Sequence, residues 1–167
     1  MGTRACTAVV RALIDHPSLT ELHLDATNLC NTAFSRTETF DGSALDEIGA
    51  LLARNRRLAE LHLANNDVTP YGARAIAAGL AANVALRTLD LGNEAAHARG
   101  AIGSEGAAHL AQALRANSSL TELSLPGQLL SEADAELLAS AGGGRCGVLT
   151  EQARGYRTAA DLAAHCR

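Results

Sequence analysis

One spacing of leucines recurs along this chain and leaves it little freedom in how to fold. From Leu58 the residues run L-A-E-L-H-L-A-N-N-D-V, which sets Leu58, Leu61 and Leu63 ahead of Asn66 and Val68. Alternation of polar and apolar residues around Leu61 is the period of a short strand with one buried face. An Ala-rich stretch from Tyr71 to Asn83 follows, with Ile76 and Leu80 one helical turn apart. The spacing predicts a strand, a tight turn and an amphipathic helix, then the same again from Leu86, 28 residues on. Such a unit cannot bury its apolar face alone, so its copies stack into a solenoid.

Aligning the rest of the chain on this unit gives full repeats starting at residues 19, 58, 86 and 120. The first has Leu22 and Leu24 pointing inward and a helix over Ser43 to Asn55, with Ser43 as the expected N-cap. From Leu19 to Leu58 is 39 residues, so an insertion of 11, Cys30 to Phe40, lies between strand and helix. The third unit, 34 residues from Leu86 to Leu120, carries 6 extra at the same point. Thr27 and Gln128 stand where the reference unit has Asn66, and looser turns are expected there.

Residues 1–18 match a helical half-repeat, with Cys6, Val9 and Leu13 at the positions of Ala73, Ile76 and Leu80. This segment either caps the N-terminal end or continues a longer solenoid, and Arg4, Arg11 and Asp15 supply a polar outer face. Gly142-Gly143-Gly144 ends the pattern, so the repeat domain is placed at 1–144. The tail, 145–167, does not repeat; it reads as a cap with a short helix over Ala159 to His165 and with Leu149 and Leu162 covering the last repeat.

The phrases LHLANNDVTPYGARAIAAGLAAN and LDLGN…IGSEGAAHLAQALRAN resemble the ribonuclease-inhibitor-like subtype of leucine-rich repeats. That subtype includes ribonuclease inhibitor, the Ran GTPase-activating protein, NOD-like receptor sensor domains and the tropomodulin C-terminal domain. The resemblance covers residues 1–142 and implies a right-handed α/β solenoid, a horseshoe segment with parallel strands on the concave face and helices on the convex face. These relatives bind unrelated partners, so the resemblance specifies a fold rather than a function.

Composition narrows the function classes. Aromatic residues are only 2% of a chain that is 47% apolar, so the core must be built from Leu, Ala, Ile and Val. A net charge of −4 argues against a nucleic-acid partner, because phosphate binding needs a basic surface. No apolar run reaches membrane-spanning length, and Arg11 and Asp15 interrupt the N-terminal apolar residues. Cys6, Cys30, Cys146 and Cys166 form no C-x-x-C pair, which favours a reduced, cytoplasmic protein, with a Cys146–Cys166 bridge left open.

The residues flanking the central leucine of each strand project to the concave face. They form two columns: Glu21, Glu60, Thr88 and Glu122, then His23, His62, Asp90 and Ser124. A partly acidic face of this kind suits a basic protein surface. His23, His62 and Asp90 together are also a zinc-type donor set, although side chains on an open, gently curved sheet do not converge. The two insertions supply a second surface. Phe34 and Arg36 lie in the first and His97 and Arg99 in the second, on one rim, with Phe34 as an aromatic anchor. No nucleophile–base motif or phosphate loop is present, so no catalytic residue and no cofactor are assigned. The expected function is recognition of another protein through the concave sheet and the insertion-bearing rim. A regulator of a small GTPase, of the Ran-activating type, and a metal-binding or enzymatic protein using the His/His/Asp ladder are the alternatives.

Overall fold

Ten short elements alternate among the described residues: α1 (Thr3–Leu13), β1 (Glu21–His23), α2 (Ser43–Arg54), β2 (Glu60–His62), α3 (Pro70–Ala82), β3 (Thr88–Asp90), α4 (Gly103–Ala116), β4 (Glu122–Ser124), α5 (Glu132–Gly142) and β5 (Gly147–Leu149). The computed structural model describes residues 3–29, 42–93 and 101–150. All five strands are parallel and lie in chain order, β1-β2-β3-β4-β5. The helices form a second layer, each packed on the next. One continuous aliphatic core lies between the layers, with Leu61, Leu89 and Leu123 from the strand centres and Ile48, Ile76 and Leu110 from the helices.

A fifth strand lies beyond residue 144, in the segment read from sequence as a cap. Gly147, Val148 and Leu149 pair with Glu122, Leu123 and Ser124 and continue the sheet by one rung. Val148 packs on the core where a repeat leucine would stand. The last residues of the chain, including Leu162, Cys166 and the expected helix over Ala159 to His165, lie outside the described residues.

Two ladders of buried side-chain amides hold the repeats in register. Asn55, Asn83 and Asn117 follow the helix ends, all almost fully buried. Each side-chain oxygen accepts two backbone N–H groups of its own turn, as Asn83 Oδ1 does from Ala85 and Leu86 at 2.9 and 2.7 Å. Each Nδ2 donates to carbonyls of the preceding unit, as Asn117 does to Leu80 and Asn83, both at 2.8 Å. One repeat later Arg145 takes the same role, donating to the Leu114 and Asn117 carbonyls at 2.6 and 2.9 Å. An arginine thus completes an asparagine ladder, which no leucine spacing signals.

The second ladder runs through the turns after the strands, and it corrects the expectation of looser turns. Asn66 donates to the Leu24 carbonyl at 2.7 Å and accepts from the Leu29 N–H at 3.2 Å, both in the preceding unit. Gln128, 1% exposed, makes the same bridge: it donates to the Leu91 carbonyl and accepts from the Ile102 N–H at 2.9 Å. Its extra methylene is accommodated without loss of either bond. Thr27 donates through its hydroxyl to the Leu24 carbonyl at 2.7 Å and closes its own turn.

Other local readings shift by a residue. The N-cap of α2 is Gly42; Ser43 is the first helical residue, and its hydroxyl lies 3.1 Å from that of Thr7 on α1. In α1 the buried residues are Thr3, Cys6 and Val10, whereas Val9 is 39% exposed. Among the described residues α1 has a helix on one side only, so the face that Ile76 buries in α3 is open there. Arg11 and Asp15 do not simply face water: they pair with Glu47 and Arg54 of α2. Cys6 and Cys146 are free, buried thiols, and burial pushes the Cys146 thiol up to about 11.

Helix α5 opens with a capping box in which Ser131 and Asp134 bond each other's backbone N–H. Asp134 also accepts from the Ser104 hydroxyl of α4 at 2.7 Å. Its carboxyl is held below the usual range, first by the Ser131 hydroxyl, with Ser104 adding to it. A depressed folded-state pKa means stability that is present above the ordinary carboxylate range and lost as pH falls through the folded value. Asp134→Ala is expected to cost about 1 kcal/mol near neutral pH. Urea titrations at several pH values would show the gap between wild type and variant closing in acid; a gap independent of pH would contradict this account.

Candidate interaction face

The strand register brings the two sequence columns together as expected. Glu21, Glu60, Thr88 and Glu122 are paired across β1 to β4, and β5 adds Gly147. His23, His62, Asp90 and Ser124 are paired in the same way, followed by Leu149. Leu22, Leu61, Leu89 and Leu123 are buried between these columns, so strand alternation turns every flanking residue to the open face. Glu21, Glu60 and Glu122 are exposed; Thr88 and Asp90 are half-buried. Phe34, Arg36, His97 and Arg99 lie outside the described residues, as does most of both insertions.

The His23 and His62 rings are stacked, with centroids 4.3 Å apart and planes 4° from parallel. His23 donates through Nε2 to Glu21 Oε1 at 2.5 Å, and its Nδ1 stands 3.6 Å from Asp25 Oδ2. Asp25 is itself anchored, accepting the Ala64 N–H at 2.7 Å. His23 is raised above the ordinary imidazole value, chiefly by its bond to Glu21. Glu21 is held below the usual carboxylate range, chiefly by the same bond. His62 Nε2 is closed to solvent, has no hydrogen-bond partner among the described residues and lies 3.7 Å from Glu60 Oε2.

Asp90 does not join this group. Its Oδ1 accepts the Gly92 N–H at 2.9 Å and closes its own turn. The His23/His62/Asp90 set is therefore corrected: the carboxylate that accompanies the two imidazoles is Glu21, two residues before His23 on the same strand. Among the described residues, Glu21, His23 and His62 have candidate ligand atoms all within 4.8 Å of one another. Looking along one strand, rather than across the sheet, would have found it, as would Asp25 two residues on.

No family model matches the chain, and no curated protein does. Solved structures match at the level of fold. The leiomodin-1 domain described as actin-binding site 2 superposes with a TM-score of 0.68 at 20% identity, covering 97% of this chain and 84% of that one. The tropomodulin C-terminal domain of Caenorhabditis elegans gives a TM-score of 0.61 at 14% identity, covering 97% and 89%.

The fold is a leucine-rich-repeat solenoid.

At these identities the likeness concerns backbone architecture alone. Among the described residues no helix is long and apolar enough to cross a membrane. Arg54, the last residue of α2, pairs with Asp15, and Arg56 donates to the Ala82 carbonyl at the end of α3.

Proposed function

We propose that this solenoid is a protein-recognition module whose open sheet face receives a partner carrying basic groups. The observation that carries the reading is the register of Glu21, Glu60 and Glu122 on one exposed column, beside His23 and His62. Solenoids bind through extended faces of this kind, and charge complementarity steers and selects partners. Phe34, with Arg36, His97 and Arg99 in the insertions, extends the interface to the rim. The leiomodin-1 domain of the same fold is described as an actin-binding site, so purified actin is the first partner to test.

Among the described residues the enzymatic alternative has no geometry behind it. Ser124 is two strands from His62, beyond proton-transfer reach, and Asp90 is committed to its turn. The reading as a regulator of a small GTPase rests on resemblance alone.

The test is capture by the immobilised chain, first of actin and then of lysate proteins identified by mass spectrometry. The double variant Phe34→Ala with Glu60→Lys is expected to lose at least about tenfold in affinity for the captured partner while its circular dichroism is unchanged. Unchanged capture by the folded variant would place the interface elsewhere.

A further inference from the structure

The geometry points to a binding site for one divalent transition cation of the zinc class on His23, His62 and Glu21. The tripeptide Glu-Leu-His occurs at Glu21–His23 and again at Glu60–His62, and the register sets the two copies side by side. Parallel strands lie about 4.8 Å apart, which puts two imidazoles within span of a single ion. The candidate donor atoms of the trio lie within 4.8 Å of one another. Tetrahedral zinc with bonds of about 2.1 Å places its ligands about 3.4 Å apart, so wider pairs close and the bonded His23 Nε2 and Glu21 Oε1 separate from 2.5 Å, each donor shifting by less than about 1 Å.

The stacked rings present their nitrogens side by side rather than converging. Turning each ring about its Cβ–Cγ bond converts one arrangement to the other, and that torsion is soft. The side chains of His23 and Glu21 are more than half exposed, so they have room to turn. On binding, His23 loses its Nε2 proton to solvent and keeps the proton on Nδ1, which faces Asp25, and Glu21 takes the cation in place of the His23 N–H.

Two further observations point the same way. Among the described residues His62 Nε2 is covered yet has no hydrogen-bond partner, and the Glu60 carboxylate oxygen at 3.7 Å is too far to accept a proton well. A covered nitrogen without a partner is unfavourable, and a cation would supply one. Beyond the ligands, Asp25 stands by the other nitrogen of His23 and is fixed by the Ala64 N–H. A carboxylate behind a histidine, orienting the ring toward a metal, is the usual outer arrangement of such sites. The remaining coordination position faces open solvent above the sheet, where a water or a partner's side chain completes it. The site stands independently of the partner proposed above.

Calorimetric titration of the full chain with zinc chloride tests this. One saturable site per chain is expected. His62→Ala and Glu21→Gln should each weaken it at least about tenfold, as should Asp25→Asn through His23. Ser124→Ala, in the same column two strands away, should leave it unchanged. A second readout needs no variant: imidazole resonances of His23 and His62 should move together on zinc addition, while those of His16 and His109 stay. The proposal is overturned by absence of saturable binding up to about 1 mM zinc. It is equally overturned if a folded His23→Ala/His62→Ala variant binds with wild-type affinity, or if only the other histidines respond.

Discussion

Gly79→Ala is expected to lower the stability of this protein by about 3 kcal/mol, although alanine is the better helix former. Helices α2 and α3 meet backbone to backbone at this point. A Cβ on Gly79 would lie 2.1 Å from the carbonyl oxygen of Gly49, and one on Gly49 would lie 2.5 Å from that of Ala75. Neither obstacle is a flexible side chain, so one helix must move bodily and the core on both sides must repack. Helix propensity alone would stabilise the variant by about 1 kcal/mol, which makes the sign of the change diagnostic. Ala78, one residue earlier and exposed, provides the control: Ala78→Gly should lose only about 1 kcal/mol. Urea denaturation followed by circular dichroism measures both. A Gly79→Ala variant more stable than wild type would mean that the two helices do not approach this closely.

Asn117→Ala should cost a similar amount, about 3 kcal/mol or more, by a different route. The Asn117 side chain accepts from the Ser119 and Leu120 N–H groups at 2.9 and 2.8 Å and donates to the Leu80 and Asn83 carbonyls. Truncation leaves the Ser119 and Leu120 N–H groups without their acceptor and takes one donor each from the Leu80 and Asn83 carbonyls, in a place where Asn117 itself is 3% exposed. Asp, which keeps the acceptor and loses the donor, should not restore stability, because it sets a carboxylate against two carbonyl oxygens. Hydrogen exchange gives the local signature: amides of Ser119 and Leu120 should lose protection ahead of those in α2. Equal protection in the variant would show that water substitutes for the side chain and that the ladder contributes little.

Much of the architecture was legible because two periods coexist in each unit. Alternation around Leu22, Leu61, Leu89 and Leu123 placed the strands and predicted both polar columns in their observed pairing. The fifth strand was not legible, because Arg145 and Thr150 stand where Leu120 and Leu125 stand in the preceding unit and Gly147 replaces an outward side chain. Its identity lies in the edge that β4 leaves open. Expecting weak turns at Thr27 and Gln128 treated asparagine as irreplaceable, whereas the turn requires only a donor and an acceptor within reach of the preceding unit. The pairing of Asp90 with the histidines followed the sheet register and ignored the backbone N–H two residues ahead, which holds that carboxylate in its turn.

By itself the sequence determined the number and order of the leucine repeats, the face each strand residue takes and the places where insertions leave the solenoid. These depend on local period and spacing, which the chain carries in one dimension. Only the tertiary structure decided that Gly49 and Gly79 let two helices touch, that Arg145 finishes the asparagine ladder, and that Glu21 rather than Asp90 accompanies the stacked imidazoles. Each of these is a distance between atoms, set by how one unit seats on the next or by which neighbour a side chain turns toward, and no spacing along the chain encodes it.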